Sequence, residues 1–167
     1  MEIFKTIFTS LNAIGVQYLV VGGIAVFVHG YQRFTGDLDL ILFLNDDNLK
    51  KFESAMRKLG YLERLPISVR ELSNKLKVRD WLENKNLKAF SFFSSDSHNS
   101  IVIDVIIEES LNFEEIFKKS VVKSFEDVNI PVVSVDDLII MKEKAGRAKD
   151  EIDLEALRKI KKILNEK

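Results

Sequence analysis

Residues 18–42, YLVVGGIAVFVHGYQRFTGDLDLIL, are the stretch of this 167-residue chain that decides its fold. Tyr18–Val21 is an apolar run typical of a buried strand, and it ends at the glycine pair Gly22-Gly23. Residues 24–29 predict a short helix, and residues 38–44 form a second strand-like run that begins among acids. The stretch therefore predicts a strand, a glycine turn, a helix and a second strand with carboxylates at its start.

The two carboxylates at that start are Asp37 and Asp39. Residues two apart on a strand project to the same side of a sheet, so these groups repel each other unless a cation compensates. Mg²⁺ is the natural counter-charge, because it binds through one or two carboxylates and substrate phosphates. The alternative interpretation is an ordinary turn or helix cap.

A third carboxylate, Asp104, is the only acid within the apolar run at residues 101–107. Beside Asp37 and Asp39 it would complete a cluster able to hold two metal ions, or it would deprotonate an attacking hydroxyl. Pairing with a buried lysine or arginine is the alternative. Similarly, Gly22-Gly23 either lets backbone N–H groups approach a bound anion or serves a steric need alone.

The C-terminal part supplies basic candidates. Lys142, Lys149 and Asp153 are spaced to lie near one side of a helix. Gly146 between them either leaves room for a ligand or breaks one helix into two. Arg147 and Asp150, three residues apart, are expected to pair with each other, and a solvated helix face is the alternative role for Lys149.

The connection before the carboxylates contains Arg33 and Thr35. Both are candidates for binding phosphate or for supporting a metal ion, and stabilising the turn is the alternative.

These blocks resemble a known signature. Gly22-Gly23, a spacer, Asp37-Leu38-Asp39 and a later strand Asp are similar to the DNA polymerase beta superfamily of nucleotidyltransferases. More narrowly, Gly22-Gly-Ile-Ala25, His29-Gly30, Arg33-Phe-Thr35 and the block at residues 138–150 resemble the small nucleotidyltransferases of type IV toxin and abortive-infection type.

The resemblance implies transfer of a nucleoside monophosphate from an NTP to a hydroxyl, with release of pyrophosphate. Asp37, Asp39 and Asp104 would then bind Mg²⁺, in a two-ion site that Mn²⁺ also suits, and Asp104 would accept the acceptor's proton. The turn at Gly22-Gly23, with Arg33, Thr35, Lys142, Arg147 and Lys149, would bind phosphates or the acceptor. Many relatives carry Ser at the position of Gly23, so a hydroxyl contact to phosphate is missing here.

The element pattern predicts an α+β fold: a mixed sheet of four to five strands, helices packed on one face, and C-terminal helices. Residues 1–135 would form the catalytic core and residues 136–167 a helical segment packed on it, within one compact domain. Helices are expected at 46–59 and 68–83, a hairpin with its turn at 95–100, and an ambiguous segment at 61–66.

Composition narrows the function classes. The chain has no cysteine, which excludes a thiol nucleophile and a cysteine-based zinc site. Its longest apolar run, residues 18–28, is far shorter than the roughly 20 residues of a membrane helix, so we expect a cytoplasmic protein with no membrane partner.

Net charge is −1, but residues 50–88 carry eleven Lys and Arg against five acids. This basic segment favours an RNA acceptor such as a tRNA end, although such runs are commonly solvated helix faces. An antitoxin protein is a further expected partner. The alternative functions are an antibiotic-type, small-molecule nucleotidyltransferase and a non-catalytic binding partner with the same fold.

Overall fold

The computed structural model describes residues 2–94, 101–108 and 112–166. Its α-helices are α1 (Glu2–Ile14), α2 (Gly22–Val28), α3 (Asp46–Lys58), α4 (Lys75–Lys85), α5 (Phe113–Lys119), α6 (Val135–Ala145) and α7 (Ala148–Asn165). Its strands are β1 (Tyr18–Val21), β2 (Asp37–Leu42), β3 (Tyr61–Glu63), β4 (Ala89–Ser94), β5 (Val102–Ile106), β6 (Val121–Phe125) and β7 (Val128–Val132). A 3₁₀ helix, Val69–Ser73, precedes α4.

All seven of these strands form one mixed sheet in the order β3-β4-β5-β2-β1-β7-β6. β2 is central: it pairs antiparallel with β1 and parallel with β5. In this register Asp39 lies opposite Val21 on one side and opposite Asp104 on the other. The sheet therefore joins the end of the first strand, the Asp-x-Asp pair and the later acidic strand side by side.

The hydrophobic core explains why these segments take up their positions. Every residue of β1 is buried, as expected for a strand covered on both faces. α1 contributes an apolar stripe at helical spacing to this core: Phe4, Ile7, Phe8 and Leu11. Asn45 caps α3, accepting a hydrogen bond from the backbone N–H of Asn48.

The predicted α+β class is confirmed, but the predicted count of four to five strands is too low. β3 is only three residues long and falls in the segment at 61–66, where the sequence has no clear periodicity. The single helix predicted over 68–83 is also wrong. Asn74 accepts hydrogen bonds from the N–H groups of Leu76 and Lys77, which starts a new helix there and separates α4 from the 3₁₀ helix.

The C-terminal helices form a hairpin. Gly146 ends α6 in the left-handed conformation, with φ of 59°, and α7 begins at Ala148. Lys142 and Lys149 therefore lie on different helices, and of the two alternatives for Gly146 the break between two helices is confirmed. The hairpin turn predicted at 95–100 lies outside the described residues. In the part of the chain described, no helix is long and apolar enough to span a membrane.

Candidate active site

The three acidic side chains predicted from the sequence lie on one face of the sheet. Asp39 and Asp104 are register partners on the parallel strands β2 and β5, and Asp37 is two residues before Asp39. Residues at these positions project to the same side. All three line one cavity of about 270 Å³, which we call the acidic cavity. Every predicted site residue except Gly22 lines it.

The electrostatics of these three residues, the strand carboxylates, are unfavourable without a ligand. Burial raises the pKa of Asp39, and the charges of Asp104 and Asp37 raise it further. The Gly23 backbone N–H, which donates a hydrogen bond to Asp39, and the more distant charge of Lys142 oppose this shift. Asp104 Oδ1 is buried without any hydrogen-bond partner. A buried, unpartnered carboxylate oxygen is costly, and a cation or a proton donor at this position would remove that cost.

The fit to a metal ion is partial. Among residues 2–94, 101–108 and 112–166, no group of three or more His, Asp or Glu side chains is arranged to hold a metal ion. The strand carboxylates therefore suit an ion that takes one or two protein carboxylates and completes its shell with water and phosphate oxygens. Mg²⁺ has this habit.

Both glycines of the turn are required by close contacts. Gly22 has φ of +64°, and a Cβ atom there would lie 1.8 Å from Asp39 Oδ2. A Cβ atom on Gly23 would lie 2.6 Å from Thr35 Oγ1. The steric interpretation of the glycine pair is thus supported. The Thr35 hydroxyl also occupies the space in which a serine side chain at position 23 would lie.

Opposite the strand carboxylates lies a set of paired charges contributed mainly by the C-terminal hairpin. Lys142 Nζ is 2.8 Å from an oxygen of Asp150 and 2.7 Å from one of Asp153, and all three side chains are almost fully buried. Arg33 forms an ion pair with Asp153, and Arg147 Nε lies 2.8 Å from Asp150. We call these five residues the helix charge network.

The network keeps Asp150 ionised. Burial by itself would raise the pKa of Asp150, but hydrogen bonds from Arg147 and Lys142 outweigh it and lower the pKa to about 2. The same hydrogen bond raises the pKa of Arg147. The predicted Arg147–Asp150 pair is confirmed. The predicted free charge at Lys142 differs from the structure, in which two carboxylates already bind the ammonium group.

Sequence reasoning missed Asp153 as a shared partner of Lys142 and Arg33. A signal for it exists. Asp150 and Asp153 lie at the same helical spacing as the buried Leu154 and Leu157, which puts two acids on the apolar side of α7. Lys142 likewise continues the buried side of α6. Acids and a lysine on facing apolar stripes indicate a buried ion pair, because neither is stable there alone.

The remaining candidates border the acidic cavity. The Thr35 hydroxyl donates a hydrogen bond to the backbone carbonyl of Asp37, 3.3 Å away. Lys149 is exposed and has no ion-pair partner among the residues that the structure describes. Phe34, which the sequence did not single out, also lines the cavity.

A second cavity, of about 570 Å³, has mostly apolar walls and lies further along the same strands. Ile41 and Ile106 line it, each two residues beyond a strand carboxylate and therefore on the same face of the sheet. Lys75 and Arg79 of the basic segment also border it.

The fold has close structural relatives. Lincosamide antibiotic adenylyltransferase LnuA, solved with lincomycin, superposes with a TM-score of 0.57 at 15% identity, covering 90% of each chain. ANT(2″)-Ia in complex with adenylyl-2″-tobramycin gives a TM-score of 0.62 at 12% identity, covering 96% of this chain and 91% of that one. A nucleotidyltransferase-like protein from Paracoccidioides brasiliensis gives 0.57 at 10%, covering 92% and 71%. At these identities the likeness establishes the fold, which is that of nucleotidyltransferases.

The family follows from the sequence match. A model of the family described as "Nucleotidyl transferase AbiEii toxin, Type IV TA system" matches residues 8–166, nearly the whole chain. The chain belongs to this family and is a nucleotidyltransferase. The resemblance stated from the motif blocks is confirmed. A comparison with curated proteins found no match.

Proposed function

We propose that this nucleotidyltransferase uses a divalent cation, bound by the strand carboxylates, to move a nucleoside monophosphate from an NTP to a hydroxyl group of an RNA. The observation that carries the proposal is the register of Asp39 with Asp104. It places two carboxylates side by side, one with a raised pKa and the other with a buried oxygen that lacks a partner.

Mg²⁺ is the cation that this site favours, with Mn²⁺ as a substitute. Held by these carboxylates, such an ion would supply positive charge to neutralise the charge that develops during transfer. Asp39 and Asp104 are the central ligands and Asp37 extends the set.

The other residues that line the acidic cavity would then have separate roles in binding the substrate. Arg147 and Lys149, both on the exposed side of the acidic cavity, bind phosphate oxygens as the triphosphate enters. Arg33 and Lys142 keep that side of the cavity positive in a fixed geometry, since their acidic partners hold them in place. Thr35 supplies a hydroxyl next to the glycine turn.

In the transfer step Asp104 acts as the base. The acceptor oxygen attacks the α-phosphorus, its proton passes to Asp104 Oδ1, and the bond from the α-phosphorus to the bridging oxygen breaks. Pyrophosphate leaves with that oxygen. A carboxylate oxygen with no hydrogen-bond partner is free to receive this proton.

The RNA acceptor, with a tRNA end as the specific candidate, is supported by charge and position. The basic segment at residues 50–88 contributes Lys75 and Arg79 to the border of the second cavity, which Ile41 and Ile106 also line, two residues beyond Asp39 and Asp104. The phosphates of an RNA bind favourably to such clustered lysine and arginine side chains. Membership of a type IV toxin–antitoxin family supports an antitoxin as a protein partner.

The test is transfer of label from each of the four α-labelled NTPs, in separate reactions with tRNA, total RNA, an aminoglycoside or a lincosamide. We expect labelled tRNA, lost with a chelator, restored by Mg²⁺ or Mn²⁺, and strongly reduced by added salt. Labelled drug without labelled RNA would instead establish the antibiotic-type function.

Two variants make this test specific. Asp104→Asn keeps the size of the side chain and should abolish transfer, because the base is lost. Asp47→Asn, at an exposed acid on α3 paired with Lys51, is the matched control and should transfer normally. Equal activity in the two variants would contradict the assigned role of Asp104.

A further inference from the structure

Phe34 is the most exposed large apolar side chain among the described residues, with 92% of its surface open to solvent. A single exposed apolar residue is ordinary on a protein surface. This one differs because it lines the acidic cavity, in the connection from α2 to β2.

The Phe34 ring differs chemically from the rest of the lining of the acidic cavity. The other described residues that line it are glycines, a threonine and charged side chains: Gly23, Arg33, Thr35, Gly36, Asp37, Asp39, Asp104, Lys142, Arg147 and Lys149. These groups bind phosphate, metal ions and hydroxyls. A nucleobase attached to a bound triphosphate finds one aromatic surface here, the ring of Phe34. Base–aromatic stacking is a common and sequence-tolerant contact.

The backbone around the ring is held on both sides. Arg33 forms an ion pair with Asp153 and donates from Nε to the Phe34 carbonyl, 3.4 Å away. Thr35 donates to the Asp37 carbonyl. The exposed ring is therefore carried by a segment whose neighbouring residues are fixed, which lowers the entropy lost when a base stacks on it.

The position of the segment favours the base of the NTP over a base of the acceptor. Thr35 packs against Gly23, on the β1 side of β2. Asp104, the proposed base for the acceptor hydroxyl, lies on the opposite side of β2, in β5. The ring is thus attached on the side of β2 that lies away from Asp104 and the proposed acceptor hydroxyl.

We propose that Phe34 stacks on the nucleobase of the NTP whose phosphates occupy the acidic cavity, an inference that rests on the proposed function. As the ring offers no hydrogen bond, this contact adds affinity for all four bases and does not select among them.

The experiment measures dissociation constants for the four NTPs and for inorganic tripolyphosphate, with Mg²⁺, by calorimetry on the full chain. Phe34→Ala should weaken NTP binding roughly 10- to 100-fold and leave tripolyphosphate binding unchanged. Phe34→Tyr, which keeps a ring, should bind NTP like the wild type, whereas Phe34→Leu should behave like Phe34→Ala. Phe93→Ala is the matched control, since Phe93 is 44% exposed and lies outside the acidic cavity.

Several outcomes would overturn the inference. Equal losses for NTP and tripolyphosphate would show that residue 34 only shapes the phosphate site, and full binding by Phe34→Leu would remove the need for a ring. Unchanged NTP binding by Phe34→Ala would show that the ring does not contact the nucleobase. Failure of the wild type to bind either triphosphate is a different result, because it refutes the proposed function and this inference with it.

Discussion

The strand carboxylates and the helix charge network face the same acidic cavity but handle charge in opposite ways. Among the described residues, no lysine or arginine forms an ion pair with Asp37, Asp39 or Asp104. In the network, every cation has an acidic partner and every acid has two cations. The strand carboxylates therefore lack ion-pair partners, whereas the charges of the helix charge network are paired within the protein.

The difference separates a binding function from a structural one. Repulsion among the strand carboxylates costs stability, which a cationic ligand would recover on binding. Lys142, Asp150 and Asp153 gain nothing comparable from a ligand, since their charges already satisfy one another in a buried site. Substitutions at the strand carboxylates should therefore lower activity without lowering stability, whereas substitutions in the network should lower both.

The largest effect is expected at the strand carboxylates. Asp39→Asn should lower nucleotidyl transfer on the order of 1,000-fold, because cation binding supplies several kcal/mol of charge stabilisation during transfer. The same change should leave the free energy of unfolding unchanged or higher, since it removes a carboxylate whose pKa is raised by burial and by two neighbouring acids. Initial rates and urea unfolding measure both quantities. A large loss of stability in Asp39→Asn would contradict the contrast between the two regions.

The next effect is expected in the helix charge network. Lys142→Met leaves Asp150 and Asp153 with one arginine each and should lower the free energy of unfolding by about 3 kcal/mol, at the lower end for breaking a buried ion pair. Transfer should fall as well, because α6 and α7 lose their mutual anchor. Lys144→Met, at an exposed cation of the same helix, should cost less than about 1 kcal/mol. Similar unfolding curves for the two variants would argue against a structural role for the network.

The smallest effect is a dependence of stability on pH with opposite signs in the two regions. The pKa of Asp150 is about 2 in the folded chain, below its ordinary value of 3.8. The contribution of Asp150 to the free energy of unfolding is therefore complete above pH 4 and is lost as pH falls toward 2. The pKa of Asp39 lies above 3.8, so protonation as pH falls through that raised value stabilises the fold.

Urea unfolding between pH 2 and pH 7 measures this difference. The wild type should lose stability most steeply below pH 4, and Asp150→Asn should flatten that part of the curve. Asp39→Asn should leave the acid limb unchanged and raise the plateau at higher pH. The sign assignments would be wrong if the two variants altered the same limb in the same direction.

Local sequence patterns were sufficient for much of the fold. The apolar strand Tyr18–Val21 matches β1 residue for residue, and the predicted third helix matches α3 to within a residue at its end. Prediction was poorest where local signals are weak. β3 is stabilised by its pairing with β4, and the helix break at Asn74 depends on one capping side chain. The total of seven strands follows from such pairings between distant segments.

Some features of the candidate site could likewise be predicted from local sequence, and others could not. The alternation of Asp37 and Asp39 on a strand, and the isolation of Asp104 in an apolar run, were visible without coordinates. The triple contact of Lys142, Asp150 and Asp153 was not, because it requires α6 and α7 to fold back at Gly146. The sequence left open whether Gly146 leaves room for a ligand or separates two helices, and the fold shows the separation.

Local sequence was enough to nominate the residues of the candidate site, because strand alternation and glycine turns are local properties of the backbone. Only the tertiary structure decided which charges compensate each other, since that depends on strand register and on the angle between two helices. Long-range pairing set Asp39 beside Asp104 with no cation between them, and buried Lys142 between two acids. Electrostatic energies fall with distance and rise on burial, and neither quantity is fixed until the chain is folded.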